Sequence, residues 1–443
     1  MTVAGALARA CATVSALDLD QVPPESIEKA LRIIADCIAV SVAGYRTEPM
    51  AALVEADTKS GLVSGRAERN RSHRSTVWGG GQAPAHHAAF LNATAGSFLE
   101  LDEGMRPTGH PGMQVVPAAI AVAQDVHASG ADLLRAVILG YELCARLFRA
   151  IRLQPLAHPH GHAGALGAAL AVSVLRGTDA EAATAIASTL PLASTWQACY
   201  DGATARNAYM GHAAAVGVRA SDLAGAGFTG SFASFGVSLG ELLGDGLDEA
   251  PLVDRVRYEA LAIDAGYFKV HSACALTHTA IDAALDIVES GPLAPDSITR
   301  VWVETVAAVR KVDIRAAPND LSCRFSVSYA VATALCTGTS GPAAFVYRSD
   351  IAAVAQRVEV RVDPQLEQRW PASSPARVRV EVGDQVLESL VENPIGHPPR
   401  ALSREEHFAK FAGAISDPDR ARDAWARIMD LRRLPDVDSL LAW

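Results

Sequence analysis

Aromatic residues make up only 6% of this 443-residue chain, so large rings cannot fill its interior. Alanine and valine dominate instead, a composition suited to closely packed helices with small side chains. No apolar run is long enough for a membrane helix, which predicts a soluble protein. The first twenty residues, MTVAGALARACATVSALDLD, show no basic region followed by a long apolar core, so no signal peptide is expected. No C-x-x-C occurs. The seven cysteines (Cys11, Cys37, Cys144, Cys199, Cys274, Cys323 and Cys336) are scattered through mostly apolar segments, which predicts reduced thiols in a cytoplasmic protein. Basic residues are dispersed and the net charge is −10, which argues against a nucleic-acid partner. The chain also lacks a G-x-S-x-G elbow, a Walker loop, and a G-x-G-x-x-G in strand-to-helix context. These absences exclude the α/β-hydrolase serine site and the common nucleotide sites.

Half of the residues are hydrophobic and 20% are charged, which is ample for a large core in two or three domains. SIEKALRIIADCIAVSVAGY follows Pro23-Pro24 with apolar positions at helical spacing. Residues 57–75 read as a polar loop. Helices are expected over 84–99, from Val115 to His127, and from Gly130 to Ile151, the last with Ser129 as its cap. A small-residue helix starts near Ala163, where Gly164, Gly167 and Ala168 let another backbone approach. After about residue 265 the texture changes. ITRVWVETVAAV, AQRVEVRVDPQL and RVRVEVGDQVLESLV read as strands, with helices between them. The tail from Ser403 returns to helix. The expected fold is mainly α: an all-helical domain of residues 1–266 and 398–443, and a smaller α+β lid of residues 267–397.

The chemistry concentrates between Glu100 and Pro117, ELDEGMRPTGHPGMQVVP. Glu100, Asp102, Glu103, Arg106 and His110 share a stretch that glycines and prolines keep from being a regular helix. Its plain alternative is a solvated helix connection. His158-Pro-His160-Gly-His162 offers three imidazoles, but on irregular backbone with no cysteine or carboxylate at zinc spacing. One histidine aimed into a cleft, beside the amides that open a helix, is the better reading. Arg206 precedes a long alanine-rich helix and can grip a carboxylate with two prongs, or simply form a surface ion pair. Lys269 and His271 precede another helix, with His278 two turns on. Cys274 has no adjacent base, so a thiol nucleophile is not expected.

In order along the chain, IADCIAVSVAGY, LDEGMRPTGHPGMQVVPAAIAVAQ, HAGALGAALAVSVLRGTDAEAATAIAS, DGATARNAYMGHAAAVGVRASDLAGAGFTG, KVHSACALTHTAIDAALDI and FSVSYAVATAL resemble the MmgE/PrpD family. That family includes 2-methylcitrate dehydratase, cis-aconitate decarboxylase and iminodisuccinate epimerase. The resemblance implies a helical domain built from both chain ends, an α+β lid, a homodimer, and an enzyme that needs neither metal nor organic cofactor. It places His110 at the family's H-P histidine, Glu100 at an aspartate (a role Asp102 can also fill) and Gly104 at a threonine. His158 matches the histidine before the small-residue helix, and Lys269 a family lysine. Arg206 stands where the decarboxylases have lysine, His271 where tyrosine is common, and Ala275 where arginine is frequent. The expected catalytic set is His110, Asp102, His158 and Lys269, with Arg206, His271 and Glu100 binding substrate and no metal ligand. The expected reaction is proton transfer beside a carboxylate of a small di- or tricarboxylic acid, first of all a 2-methylcitrate-type dehydration. Cis-aconitate-type decarboxylation and iminodisuccinate-type epimerisation are the alternatives. A non-catalytic ligand-binding protein and a histidine-cluster metallohydrolase are the readings from other classes.

Overall fold

The computed structural model describes residues 2–65 and 75–440. Helices dominate. Pro24–Gly44, Ala85–Ser97, Pro111–Asp125, Gly130–Ala150, Ala163–Arg176 and Ala208–Gly225 pack together into one apolar core. Ser129 caps its helix by accepting from the Asp132 N–H at 3.2 Å. The small residues let backbones touch. A Cβ on Gly140 would come within 2.7 Å of the Gly167 carbonyl oxygen, and one on Gly167 within 2.6 Å of the Gly140 oxygen, so any side chain here would push the two helices apart.

The helix expected to begin at Val115 begins at Pro111, directly after His110. Proline at the first helical position lacks only an N–H that would have no partner inside the helix. The loop expected over 57–75 is narrower at its start, because Glu48–Lys59 is helical; residues 66–74 lie outside the described ones. Among the described residues, three short ribbons interrupt the helical half. One pairs Gly104–Met105 with Gly266–Tyr267 and ties the charged loop to the segment carrying Lys269.

A second core gathers around a four-stranded sheet with order 385–391, 376–382, 298–305, 358–362. Only the last pair, 298–305 with 358–362, is parallel. RVRVEVGDQVLESLV is two strands rather than one, a hairpin turning at Gly383 with φ +58°. VAAV and DPQL, read as strand ends, are helical turns; Asp363 caps the second and Pro364 opens it. In Ala376–Val382 the valines face the core, while Arg377 and Arg379 pair with Glu304 on the other face. Helices His278–Ile287 and Val327–Thr337 line this core, and Trp196 and Cys199 join it from the helical half.

The tail helices Arg404–Ile415 and Pro418–Met429 return to the first core. A buried polar chain pins them there. Arg32 Nε donates to His407 Nδ1 (3.0 Å), His407 Nε2 donates to Asp36 Oδ1 (3.1 Å), and Lys410 Nζ reaches both Asp36 Oδ1 (2.5 Å) and the Leu101 carbonyl (2.8 Å). Burial would raise the Asp36 carboxyl, but Lys410 and then His407 outweigh it and hold it below the ordinary range. Burial takes His407 down to about 4, so the ring is neutral at pH 7 and Lys410 supplies the positive charge against Asp36. Lys410→Met strands that carboxylate. It is expected to lower the unfolding free energy in urea by about 3–5 kcal/mol. A loss below about 1 kcal/mol, the range of an exposed pair, would contradict the reading.

Candidate active site

The site is assembled from four separated segments. Glu100 follows the helix Ala85–Ser97 and sits in the left-handed region at φ 50°, a backbone conformation that costs a glutamate energy. Its carboxylate accounts for the strain. Oε1 receives Arg206 Nη1 at 2.5 Å and Oε2 receives Lys269 Nζ at 2.8 Å. Lys269 also reaches Asp102 Oδ1 at 3.3 Å. All four side chains are buried. Burial alone would raise the carboxyls of Glu100 and Asp102. Lys269 and Arg206 outweigh it at Glu100, as His110 and Lys269 do at Asp102, and both carboxyls lie below the ordinary range. Burial would likewise lower Lys269 and Arg206, but the same carboxylates push both above their ordinary values. Two anions and two cations therefore cancel.

His110 stands beside this cluster. Its Nδ1 lies 2.5 Å from the Glu103 carbonyl oxygen and 2.7 Å from Asp102 Oδ2. The carbonyl has the hydrogen-bond geometry, and Asp102 Oδ2 acts on the ring by its charge. With the proton on Nδ1, Nε2 carries the free lone pair. His158 has the opposite arrangement: its Nδ1 accepts the His160 N–H at 3.3 Å, so Nε2 bears the proton. His160 lies between them, its ring centroid 4.8 Å from that of His110 and 4.4 Å from that of His158. Burial, together with Arg206 and the neighbouring histidines, drives His158 and His160 well below the ordinary histidine value, so both are neutral. His162 spends both nitrogens on structure. Nδ1 accepts from the Ala163 N–H at 2.8 Å and Nε2 donates to the His158 carbonyl at 2.9 Å, capping the helix that follows.

Glu100, His110, His158, His160 and Arg206 line a cleft of about 820 Å³, mouth included. Its far wall comes from the second core, where Phe325 lies under Arg206 at 5.0 Å. Tyr267 enters from the short ribbon. Gly104 makes room for it, since a Cβ there would lie 2.5 Å from the Tyr267 hydroxyl. Arg106 and Lys311 also line the cleft, and among the described residues neither has a carboxylate partner. The cleft is thus net positive although the chain is net negative.

The MmgE/PrpD N-terminal domain matches residues 8–240, and the C-terminal domain matches residues 271–429. The chain belongs to the MmgE/PrpD family. Cis-aconitate decarboxylase of Aspergillus terreus (strain NIH 2624 / FGSC A1156) is 26% identical over 490 residues, covering 99% of this chain and 95% of its own. The mouse and human cis-aconitate decarboxylases are each 30% identical over 161 residues, which is 34% of this chain and 31% and 32% of theirs.

In this MmgE/PrpD chain, Glu100, His110, His158 and Arg206 line the cleft, with Asp102 and Lys269 directly behind. Lys269 is buried and saturated by two carboxylates, so it does not present itself to a ligand as expected. Glu100, expected to touch substrate, has both oxygens engaged by cations. His271 is a correction of the same kind. Its Nδ1 meets Ser340 Oγ at 2.6 Å, its Nε2 meets Asp282 Oδ1 at 2.8 Å, and it lies outside the cleft lining. His162 spends both ring nitrogens at the helix start and offers none to a metal. Sequence reasoning missed Tyr267, Lys311 and His397 as lining residues; the first, two positions before Lys269, carried the only usable signal.

Glu103 completes the site from inside. It accepts from the Gly112 and Met113 N–H groups at the start of helix Pro111–Asp125, and from the Tyr141 hydroxyl at 3.2 Å. Gly112 is required there, because a Cβ would lie 2.6 Å from Glu103 Oε1. Burial first, then the Asp102 charge, raise Glu103 to about 8 from an ordinary value of 4.5. Between those two pH values the folded chain holds a proton that the unfolded chain has released. The stability this group contributes is full below pH 4.5 and is lost as pH rises towards 8. Glu103→Gln keeps the acceptor for the helix amides and removes the titration. In urea denaturation its stability relative to wild type is expected to rise from pH 5 to pH 8; equal pH slopes would contradict this.

Proposed function

We propose that this chain is a lyase that moves a proton at the carbon beside a carboxylate of a small di- or tricarboxylic acid. The observation that carries the reading is the pairing of His110 Nε2, a base with no hydrogen bond among the described residues, with the His158 Nε2 proton in one cation-rich cleft. A carbon acid next to a carboxylate becomes acidic only if the charge that develops on the carboxylate oxygens is stabilised. The neutral donors of His158 and His160, the Tyr267 hydroxyl and the net positive field of the cleft supply that stabilisation in this reading. His110 Nε2 takes the proton, and the buried Asp102 charge stabilises the imidazolium formed. In a dehydration the neighbouring C–O bond then breaks, the imidazolium returns its proton to the departing hydroxide, and water leaves. Lys269 acts here as a positioning residue that holds Glu100 and Asp102.

Decarboxylation is the second reading, favoured by the full-length similarity to the Aspergillus terreus enzyme. There the C–C bond to a carboxylate breaks, carbon dioxide leaves, and a proton is delivered to the carbon left behind. The division into residues 1–266 with 398–443, and 267–397, belongs to the same proposal, with the two cores closing on the cleft between them. So do a homodimer and a cytoplasmic setting. Leu156 and Leu242 lie exposed beside one short ribbon, and the described cysteines are all free. No helix among the described residues is long and apolar enough to cross a membrane.

A panel of citrate-like acids, followed as alkene absorbance and by mass spectrometry, identifies the substrate. On that substrate His110→Ala is expected to lower turnover by about 10²- to 10⁴-fold with the fold unchanged. Near-full activity in the variant would overturn the assignment.

A further inference from the structure

Arg106 and His397 hold unspent hydrogen-bonding capacity inside the cleft. Arg106 Nε donates to His397 Nδ1 at 3.4 Å, the one hydrogen bond its guanidinium makes among the described residues. Among the described residues its Nη1 is buried without a partner, and no carboxylate lies within ion-pair distance. Burial lowers its pKa from the ordinary arginine value, with only Tyr267 acting the other way. His397 is 2% exposed and stacks on the Tyr267 ring, centroids 3.7 Å apart. Because Nδ1 accepts from Arg106, the proton sits on Nε2, and that N–H is also buried and, among the described residues, unpartnered.

A half-buried guanidinium with no counter-ion is a standing cost to the fold, and so is each orphaned donor. Arg206 shows the contrast in the same cleft, its charge answered by Glu100. Tyr267 stands between the two ends. Its ring centroid is 6.5 Å from that of His110 and stacked on that of His397, so a single aromatic side chain separates them.

We propose that Arg106 and His397 form the seat of a second carboxylate, so that the cleft takes acids carrying at least two. One carboxylate lies beside the reacting carbon at His110. The other receives Arg106 Nη1–H and His397 Nε2–H once these side chains shift, since neither atom is open to solvent as the cleft stands. This deepens the proton-transfer reading and rests on it.

The probe is tricarballylate (propane-1,2,3-tricarboxylate), which lacks a leaving hydroxyl. Its binding is measured by calorimetry on the full chain, and the unfolding midpoint is measured with and without it. A lost charge-assisted contact is expected to weaken tricarballylate binding to Arg106→Gln by about 10- to 100-fold. His397→Gln moves the same way by a smaller factor. The ligand-free midpoint of Arg106→Gln is expected to equal or exceed that of wild type, because an uncompensated buried charge has gone. Wild-type affinity in Arg106→Gln overturns the seat, and so does a ligand-free midpoint several degrees lower, which would mark a structural arginine. Turnover found only on monocarboxylates overturns the seat and the polycarboxylate substrate class, and leaves proton transfer by His110 standing. If wild type turns over no carboxylic acid at all, both the seat and the His110 reading fall.

Discussion

The Glu100 carboxylate, gripped by Arg206 on one oxygen and Lys269 on the other, is the contact on which the rest of the site depends. It joins the end of one helix to the turn before another and to the segment leading into the second core. Buried ion pairs are weak sources of stability, because desolvation offsets most of the attraction, but removing one partner is expensive. Their effect here is to fix geometry. With Glu100 held at a positive φ, Asp102 falls against Lys269 and His110, and the Glu103 carboxyl turns onto the helix N-terminus, where the backbone amides and the helix dipole meet it. Lys410 supports the same loop from behind through the Leu101 carbonyl.

A neutral cluster also decides which charges remain for a ligand. Lys269 and Arg206 spend their charge on Glu100 and Asp102, so the net positive field of the cleft comes from Arg106 and Lys311. In the proposed reading, recognition and chemistry are separated accordingly. The saturated cations set the orientation of Asp102 and His110, while the cations without carboxylate partners face the space a ligand would fill.

Much of the fold was legible because it rests on local signals. The helical periods before residue 265, the Gly140–Gly167 type of small-residue crossing, and the arginine–valine alternation of Ala376–Val382 are all written in neighbouring residues. The hairpin at Gly383 was missed because the apolar–polar alternation resumes after a two-residue turn. The helix start at Pro111 is hidden because glycine and proline usually signal a break, whereas here Pro111 opens a helix and Gly112 clears a carboxylate. The charged loop and the histidines before Ala163 stood out by composition. Partnership did not. Nothing near Lys269 in sequence shows that Glu100 and Asp102 saturate it, and nothing near His271 shows Ser340 and Asp282. Lys311 and His397 reach the cleft only through the packing of the second core and the chain's return to the first.

The most direct test is hydrogen exchange at carbon. The chain is incubated with a panel of di- and tricarboxylates in deuterated water and followed by proton NMR. At least one acid is expected to lose the proton signal of a carbon beside a carboxylate, through exchange or product formation, and His110→Gln should abolish that loss. If no acid loses such a signal, or if His110→Gln exchanges it at the wild-type rate, proton transfer by His110 in this cleft is contradicted.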